Sequence, residues 1–97
     1  MADVIDTLEI VTIPSLHDAL NITIDGDDLK LERLVETARD FIEGYVGPLD
    51  DFETADAVPA AIAQAMRLYV GHLYDEDAAP VPEGVFALIG PYRKWEF

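Results

Sequence analysis

Residues 25–47 read DGDDLKLERLVETARDFIEGYVG, and their spacing decides the fold. Leu31, Leu34, Val35, Ala38, Phe41, Ile42, Tyr45 and Val46 recur at steps of three and one. That rhythm is a single apolar stripe along an α-helix of about five turns. Asp27 or Asp28 caps its start, where a side-chain oxygen takes up an unpaired backbone N–H and negative charge suits the helix dipole. Gly47-Pro48 ends it, because glycine accepts the left-handed turn and proline cannot continue the ladder.

Outward from this helix the pattern repeats in shorter form. Pro59 opens a second run, PAAIAQAMRLYVGHLYDE (59–76), since the first helical position needs no N–H. Ile62, Ala65, Met66, Tyr69, Val70 and Leu73 share its inner face, and alanines at 60, 61, 63 and 65 let a neighbouring helix come close. Asp75-Glu76-Asp77 is badly placed for a helix C-terminus, so AAPVP (78–82) reads as a break. Residues 82–90, PEGVFALIG, give a short apolar helix through Val85, Phe86 and Ile89, stopped by Gly90-Pro91. On the other side, residues 1–13 read as extended into Pro14, which pushes Ile13 away from helix. Ser15, with Asp18 three residues on, caps a helix of roughly two turns that carries Leu16, Ala19 and Leu20 on one face. Residues 48–58, PLDDFETADAV, form an acidic polar loop. The expected fold is all-α: a small antiparallel helical bundle of two long and two short helices with extended termini, in a single domain over residues 1–97.

The chain of 97 residues sets 20 Asp and Glu against 6 Lys and Arg, a formal charge of −14. Hydrophobic residues make up 51%, too many for an acidic disordered tail, so the charge clothes a real core. The basic residues Lys30, Arg33, Arg39, Arg67, Arg93 and Lys94 are scattered, and without a basic patch phosphate is repelled. Ordinary nucleic-acid binding is excluded. With no cysteine there is no disulfide framework, thiol nucleophile or thiolate metal site. The start MADVIDTLEI has no signal-peptide pattern, and no run nears the ~18 apolar residues of a membrane span. A soluble chain in a reducing compartment is expected.

Catalytic patterns are weak. His17 and His72 are far apart in sequence, Ser15 is the one serine, and no glycine-rich loop follows a strand. Asp25-Gly26-Asp27-Asp28 invites comparison with a calcium loop, since Glu36 stands twelfth from Asp25. Leu29, Lys30 and Leu31 occupy the fifth to seventh positions, where such a loop needs oxygen ligands around a glycine, and the match fails. No enzyme activity, cofactor or metal is expected.

Several pieces together resemble a known family. DGDD followed by LERLVETARDFIEGYVG is similar to the second helix of tailed-phage head–tail connector (adaptor) proteins, with Leu34, Val35, Ala38, Ile42, Glu43 and Gly47 at the matching places. Pro59, Ile62, Ala65, Leu68 and Leu73-Tyr74-Asp75 resemble the third. The most specific piece is PEGVFALIGPYR (82–93), in which Pro82, Gly84, Val85, Leu88, Ile89, Pro91, Tyr92 and Arg93 resemble the family's closing P-x-G-V-x-x-L-L-x-P-Y-R. The likeness covers about residues 8 to 93. It departs in an unusually acidic inter-helix loop and in the WEF that follows the closing motif.

The resemblance implies a structural protein of the virion neck, made in the host cytoplasm. Such proteins form a ring homo-oligomer, usually dodecameric, that docks beneath the portal protein, joins it to the stopper or tail-completion protein, and lets DNA pass through its lumen. A closed ring needs a head-to-tail interface with two different patches on one subunit. Residues 82–97 suit one of them: their charge balances, and they hold Phe86, Tyr92, Trp95 and Phe97, four of the nine aromatics. Phe86, Pro91, Tyr92, Arg93, Trp95 and Phe97 are the expected subunit or portal contacts, with Val85 and Ile89 in the core. Asp50, Asp51, Glu53 and Asp56 are the candidate lumen-facing acids. The competing reading is a small acidic DNA mimic or inhibitor, steered to basic partners by its charge.

Overall fold

The computed structural model describes residues 5–20, 28–74 and 81–92. Of these residues 84% are helical and none lies in a strand. The order is α1 (Thr7–Ile10), α2 (Ile13–Leu20), α3 (Asp28–Val46), two 3-10 turns (Leu49–Phe52 and Ala55–Ala57), α4 (Ala60–Tyr74), α5 (Glu83–Ile89) and a closing 3-10 turn (Gly90–Tyr92). The two long and two short helices expected from spacing are α3, α4, α2 and α5. Gly47 at φ 86° ends α3 in the left-handed conformation, its N–H on the Glu43 carbonyl at 2.9 Å.

The long helices form the centre. Leu31, Val35, Ala38 and Ile42 of α3 pack with Ile62, Ala65, Met66 and Val70 of α4, all fully buried. Lys30 at the start of α3 lies over the Tyr74 ring at the end of α4 (5.1 Å), and Phe41 stacks on Tyr69 nearer the middle, so the pair runs antiparallel. Val85 and Ile89 of α5 close the core against α4, while Leu16 of α2 and Val11 seal it beside α3. Gly71 permits the approach of α2, because a Cβ there would stand 2.9 Å from Leu20 Cδ2.

Four expectations at the termini and the loop are corrected. The N-terminal segment is not extended throughout: Asp6 caps α1 by accepting the Leu8 N–H at 3.0 Å, and Glu9 adds negative charge to that first turn. Ser15 is not the cap of α2. The helix starts at Ile13, and Thr12 Oγ1 accepts the Ser15 N–H at 3.2 Å, while the Ser15 hydroxyl donates to the Thr12 carbonyl at 2.7 Å. Pro14 is tolerated in this first turn because its missing N–H is not needed there. The described part of α3 opens at Asp28, and Asp27, the other residue expected to cap it, lies outside the described residues. α4 begins one residue later than expected, at Ala60, with the Pro59 carbonyl accepting from Ile62 and Ala63. The loop 48–58 is wound into its two 3-10 turns and buries Leu49 and Val58. The break assigned to 78–82 and the acids 75–77 fall mostly outside the described residues.

Candidate assembly interface

The main surface feature is an aromatic seam where α3, α4 and α5 meet. The Phe41 and Tyr69 rings stack at 4.3 Å and 12°. Phe41 also tilts against Tyr45 at 5.3 Å, and the Phe86 edge meets both, at 6.1 Å from Phe41 and 5.6 Å from Tyr45. Offset and edge-on contacts of this kind bring the positive ring edge onto a negative face and fix the rings in place. Phe41, Tyr45 and Tyr69 are half-buried, but Phe86 keeps 39% of its surface exposed. Leu68 of α4, 37% exposed, lies beside Gly84, whose added Cβ would touch its Cδ1 at 3.5 Å. Tyr92, 40% exposed, extends the apolar surface past the end of α5.

The sequence put Phe86 and Tyr92 on this surface and assigned Phe41, Tyr45 and Tyr69 to the core stripe. The structure brings all but Tyr92 into one cluster. Pro91 is exposed next to Tyr92, whereas Arg93, Trp95 and Phe97 lie outside the described residues. Gly84 and Ala87 of α5 and Gly90 just after it are also exposed.

α4 carries Arg67 as its one Asp, Glu, Lys or Arg, whereas α3 turns Lys30, Arg33, Glu36 and Asp40 to solvent. Asp51, Glu53 and Asp56 of the loop are also exposed. Glu53 has φ 73° and ψ −41° with the Thr54 N–H on the Phe52 carbonyl at 2.9 Å, a γ-turn that strains any residue but glycine.

Asp50 has a different position from the other loop acids. Its Oδ1 accepts from the Ile5 N–H at 2.7 Å and from Arg39 Nη2 at 2.8 Å. The Ile5 N–H, the largest influence, holds its carboxyl below the ordinary value; desolvation opposes it, and the Arg39 hydrogen bond and charge lower it further. Arg39 is the hub. It is buried on α3, and its Nη1 donates to the Ile5 carbonyl and to Thr7 Oγ1 at 3.0 Å. Its Nε faces Glu43 Oε2 at 3.4 Å, and that oxygen accepts the Leu49 N–H at 2.8 Å. One guanidinium thus ties α3, the start of α1 and the acidic loop together. Sequence reading missed it, although Arg39 is four residues from Val35 and three from Ile42 on the buried stripe, with Glu43 one turn on.

The remaining polar pair is His17 Nε2 and Asp28 Oδ1 at 2.9 Å, which links α2 to the start of α3. With Ile13, Pro14 and Asp18 it lines an open depression of about 500 Å³. Among the described residues no group of three or more His, Cys, Asp or Glu stands together as a metal site, and no helix is long and apolar enough to cross a membrane.

A small all-α chain whose polar hub locks its loops and whose aromatic seam stays partly open has the features of a subunit built for assembly. The family comparison agrees: residues 11–93 match the model of the phage gp6-like head-tail connector proteins, and the chain belongs to that family. It is a family of structural phage proteins of the neck, between head and tail. No curated protein and no solved structure matches the chain.

Proposed function

We propose that the chain acts as one domain and is a subunit of the ring, dodecameric in the assembled neck, that docks beneath the portal protein and carries the stopper or tail-completion protein. It is made in the host cytoplasm and incorporated at the head–tail junction. DNA passes through the lumen without specific binding. The observation that carries this reading is the open aromatic seam of Phe41, Tyr45, Tyr69 and Phe86, on a chain whose charge leaves α4 nearly neutral. A seam of this composition suits a protein contact, since aromatic anchors dominate interface energies. Phe86, Pro91, Tyr92, Arg93, Trp95 and Phe97 serve the subunit or portal interface.

Asp51, Glu53 and Asp56, joined by Glu36 and Asp40 of α3, are the acids suited to a lumen. At physiological salt, repulsion acts within a Debye length of about 8 Å, enough to keep DNA from adhering to a wall it passes closely. Asp50 is taken by Arg39 and serves the fold.

The test is negative-stain imaging of the purified portal with and without the chain. An added ring on the portal's tail-side face is the expected result. A portal of unchanged outline and mass across a series of salt concentrations would refute the proposal.

A further inference from the structure

We infer that neighbouring subunits meet across α5: Phe86 and Glu83 of one copy seat against Leu68 and Arg67 of a second copy of this chain. The inference rests on the ring reading and deepens it by naming both halves of the subunit contact.

The two halves stand on opposite flanks of one short helix. Gly84 and Phe86 are two residues apart, and at about 3.6 residues per turn they leave α5 in nearly opposite directions. Gly84 lies toward α4, where its added Cβ would touch Leu68 Cδ1 at 3.5 Å. Phe86 lies toward α3, its ring 6.1 Å from that of Phe41. Phe86 and Leu68 stay 39% and 37% exposed. One subunit therefore carries two unlike apolar patches, which is what a head-to-tail joint requires.

Charge gives each patch its mate. Glu83 is the one charged residue of α5 and sits a turn before Phe86, on the same side. It is exposed, and among the described residues it makes no ion pair. Arg67 is the one Asp, Glu, Lys or Arg of α4 and has neutral partners: its Nε donates to Ser15 Oγ and its Nη1 to Gln64 Oε1, both at 3.3 Å. Gln64 is three residues from Arg67 and four from Leu68, so these three share the outer surface of α4. Asp18, a turn past Ser15 on α2, lines the depression beside His17 and Asp28 and makes no ion pair with Arg67. Thr37 and Gly44, one turn either way from Phe41, carry no charge. In each half the charge thus stands within a helical turn of the apolar side chain, and the two charges are opposite. A different partner would match one half; a second copy matches both. Most approaches between copies at −14 bring acid to acid, and this one brings an acid to a cation.

The size of the contact sets how it behaves. Two exposed apolar side chains and one ion pair cover far less than the ~1,200 Å² of a stable pair. Free chains meet weakly, and closing the ring on the portal holds the joints together through effective concentration.

Arg67→Glu and Glu83→Arg, made singly and together in the full chain, test the pairing on purified portal by negative-stain imaging. Circular dichroism of the free chains checks that all three stay helical. Each single change sets like charges together at every joint and should lower the fraction of portals bearing a ring severalfold. The double change restores the pair with its signs exchanged and should return that fraction to the wild-type level. A second arm needs no portal. The chain has no cysteine, so Leu68→Cys and Phe86→Cys variants can be mixed and oxidised at high concentration. The disulfide joining the two different variants should exceed its random share over those joining like with like.

The inference is overturned if either single change leaves rings as frequent as in wild type, or if the double change fails to recover them. Loss with Arg67→Glu that Glu83→Arg does not rescue assigns the α4 surface to the portal instead. Random disulfide pairing overturns it equally. No ring from wild type removes the ring reading itself, and the disulfide pattern alone then judges the contact.

Discussion

Replacing Arg39 by Met tests the central claim about this fold, that a single buried guanidinium sets the path of the N-terminal segment and the acidic loop. Methionine keeps most of the buried volume and removes every donor, so packing loss is small and the measured change is polar. Two acceptors lose their partner where water does not reach: the Ile5 carbonyl, on a residue 5% exposed, and Thr7 Oγ1, on a residue 2% exposed. A buried polar atom left unpaired costs about 1–3 kcal/mol, and one of the two relaxes toward solvent as the segment loosens, which gives a total of about 2–3 kcal/mol. The Asp50 and Glu43 carboxylates add little to that sum, since both are open to water and keep a backbone N–H each, from Ile5 and Leu49. In a domain of this size such a loss lowers Tm by roughly 10–20 °C. Thermal unfolding followed by circular dichroism reads the shift, and amide exchange at Ile5 and Leu49 should rise with it. A drop below about 3 °C with unchanged exchange would show that the network is ornamental. Arg39→Lys should fall between the two, because an ammonium serves one or two of these acceptors and cannot fork across both.

Acid should loosen the same region. The Asp50 carboxyl is held below its ordinary 3.8, first by the Ile5 N–H and then by Arg39. Its contribution is therefore full above the unfolded value and is lost as pH falls through the lower folded one. Unfolding midpoints between pH 5 and pH 2 should fall less steeply for Asp50→Asn than for wild type, and parallel curves would contradict this. Gly44→Ala should stabilise by about 0.5–1 kcal/mol, because α3 gains helix propensity and a Cβ there meets nothing within 4 Å. Gly71→Ala should gain nothing or lose, since its Cβ meets Leu20 Cδ2 at 2.9 Å; urea midpoints decide both. Glu53→Gly should raise stability by about 0.5–1 kcal/mol in the same assay by relieving the positive φ, and a loss would mean that the Glu53 side chain has a partner worth more than the strain. Substituting Trp95 and Phe97 together by Ser should leave helical circular dichroism intact while weakening the added ring on the portal.

What the sequence made legible follows from how many residues carry each signal. α3 was readable because eight apolar positions repeat one rhythm and Gly47 ends it, so no single residue decides the outcome. α1 was missed because four residues carry no periodicity, although Asp6 three before Glu9 resembles a capping box. The cap of α2 was misplaced by three residues for a related reason: Thr12 and Ser15 are both good capping residues, and only the backbone position of Pro14 decides between them. The aromatic seam was half-legible. Phe86 was read as an interface residue from its segment's balanced charge, but Phe41, Tyr45 and Tyr69 fit a core stripe equally well and are half-buried beside it.

Arg39 and the seam also explain why the acidic loop has two kinds of carboxylate. Asp50 is adjacent to Asp51 in sequence, so charge alone treats them as equals, yet Asp50 is drawn inward to Ile5 and Arg39. That inward bond lets the first 3-10 turn form under Leu49, and the γ-turn at Glu53 then carries the chain out toward Asp56 and α4. A chain at −14 would resist gathering so many acids in one short loop. The guanidinium beneath them offsets part of that repulsion and leaves Asp51, Glu53 and Asp56 exposed on the surface. If those acids face passing DNA, the variant that most disturbs the lumen is Arg39→Met, a change at a residue that never touches it. Portal-bound rings made with Arg39→Met should show a less ordered lumen wall than rings made with Asp51→Asn, although the latter removes a surface charge outright. Equal order in the two would separate the hub from the lumen.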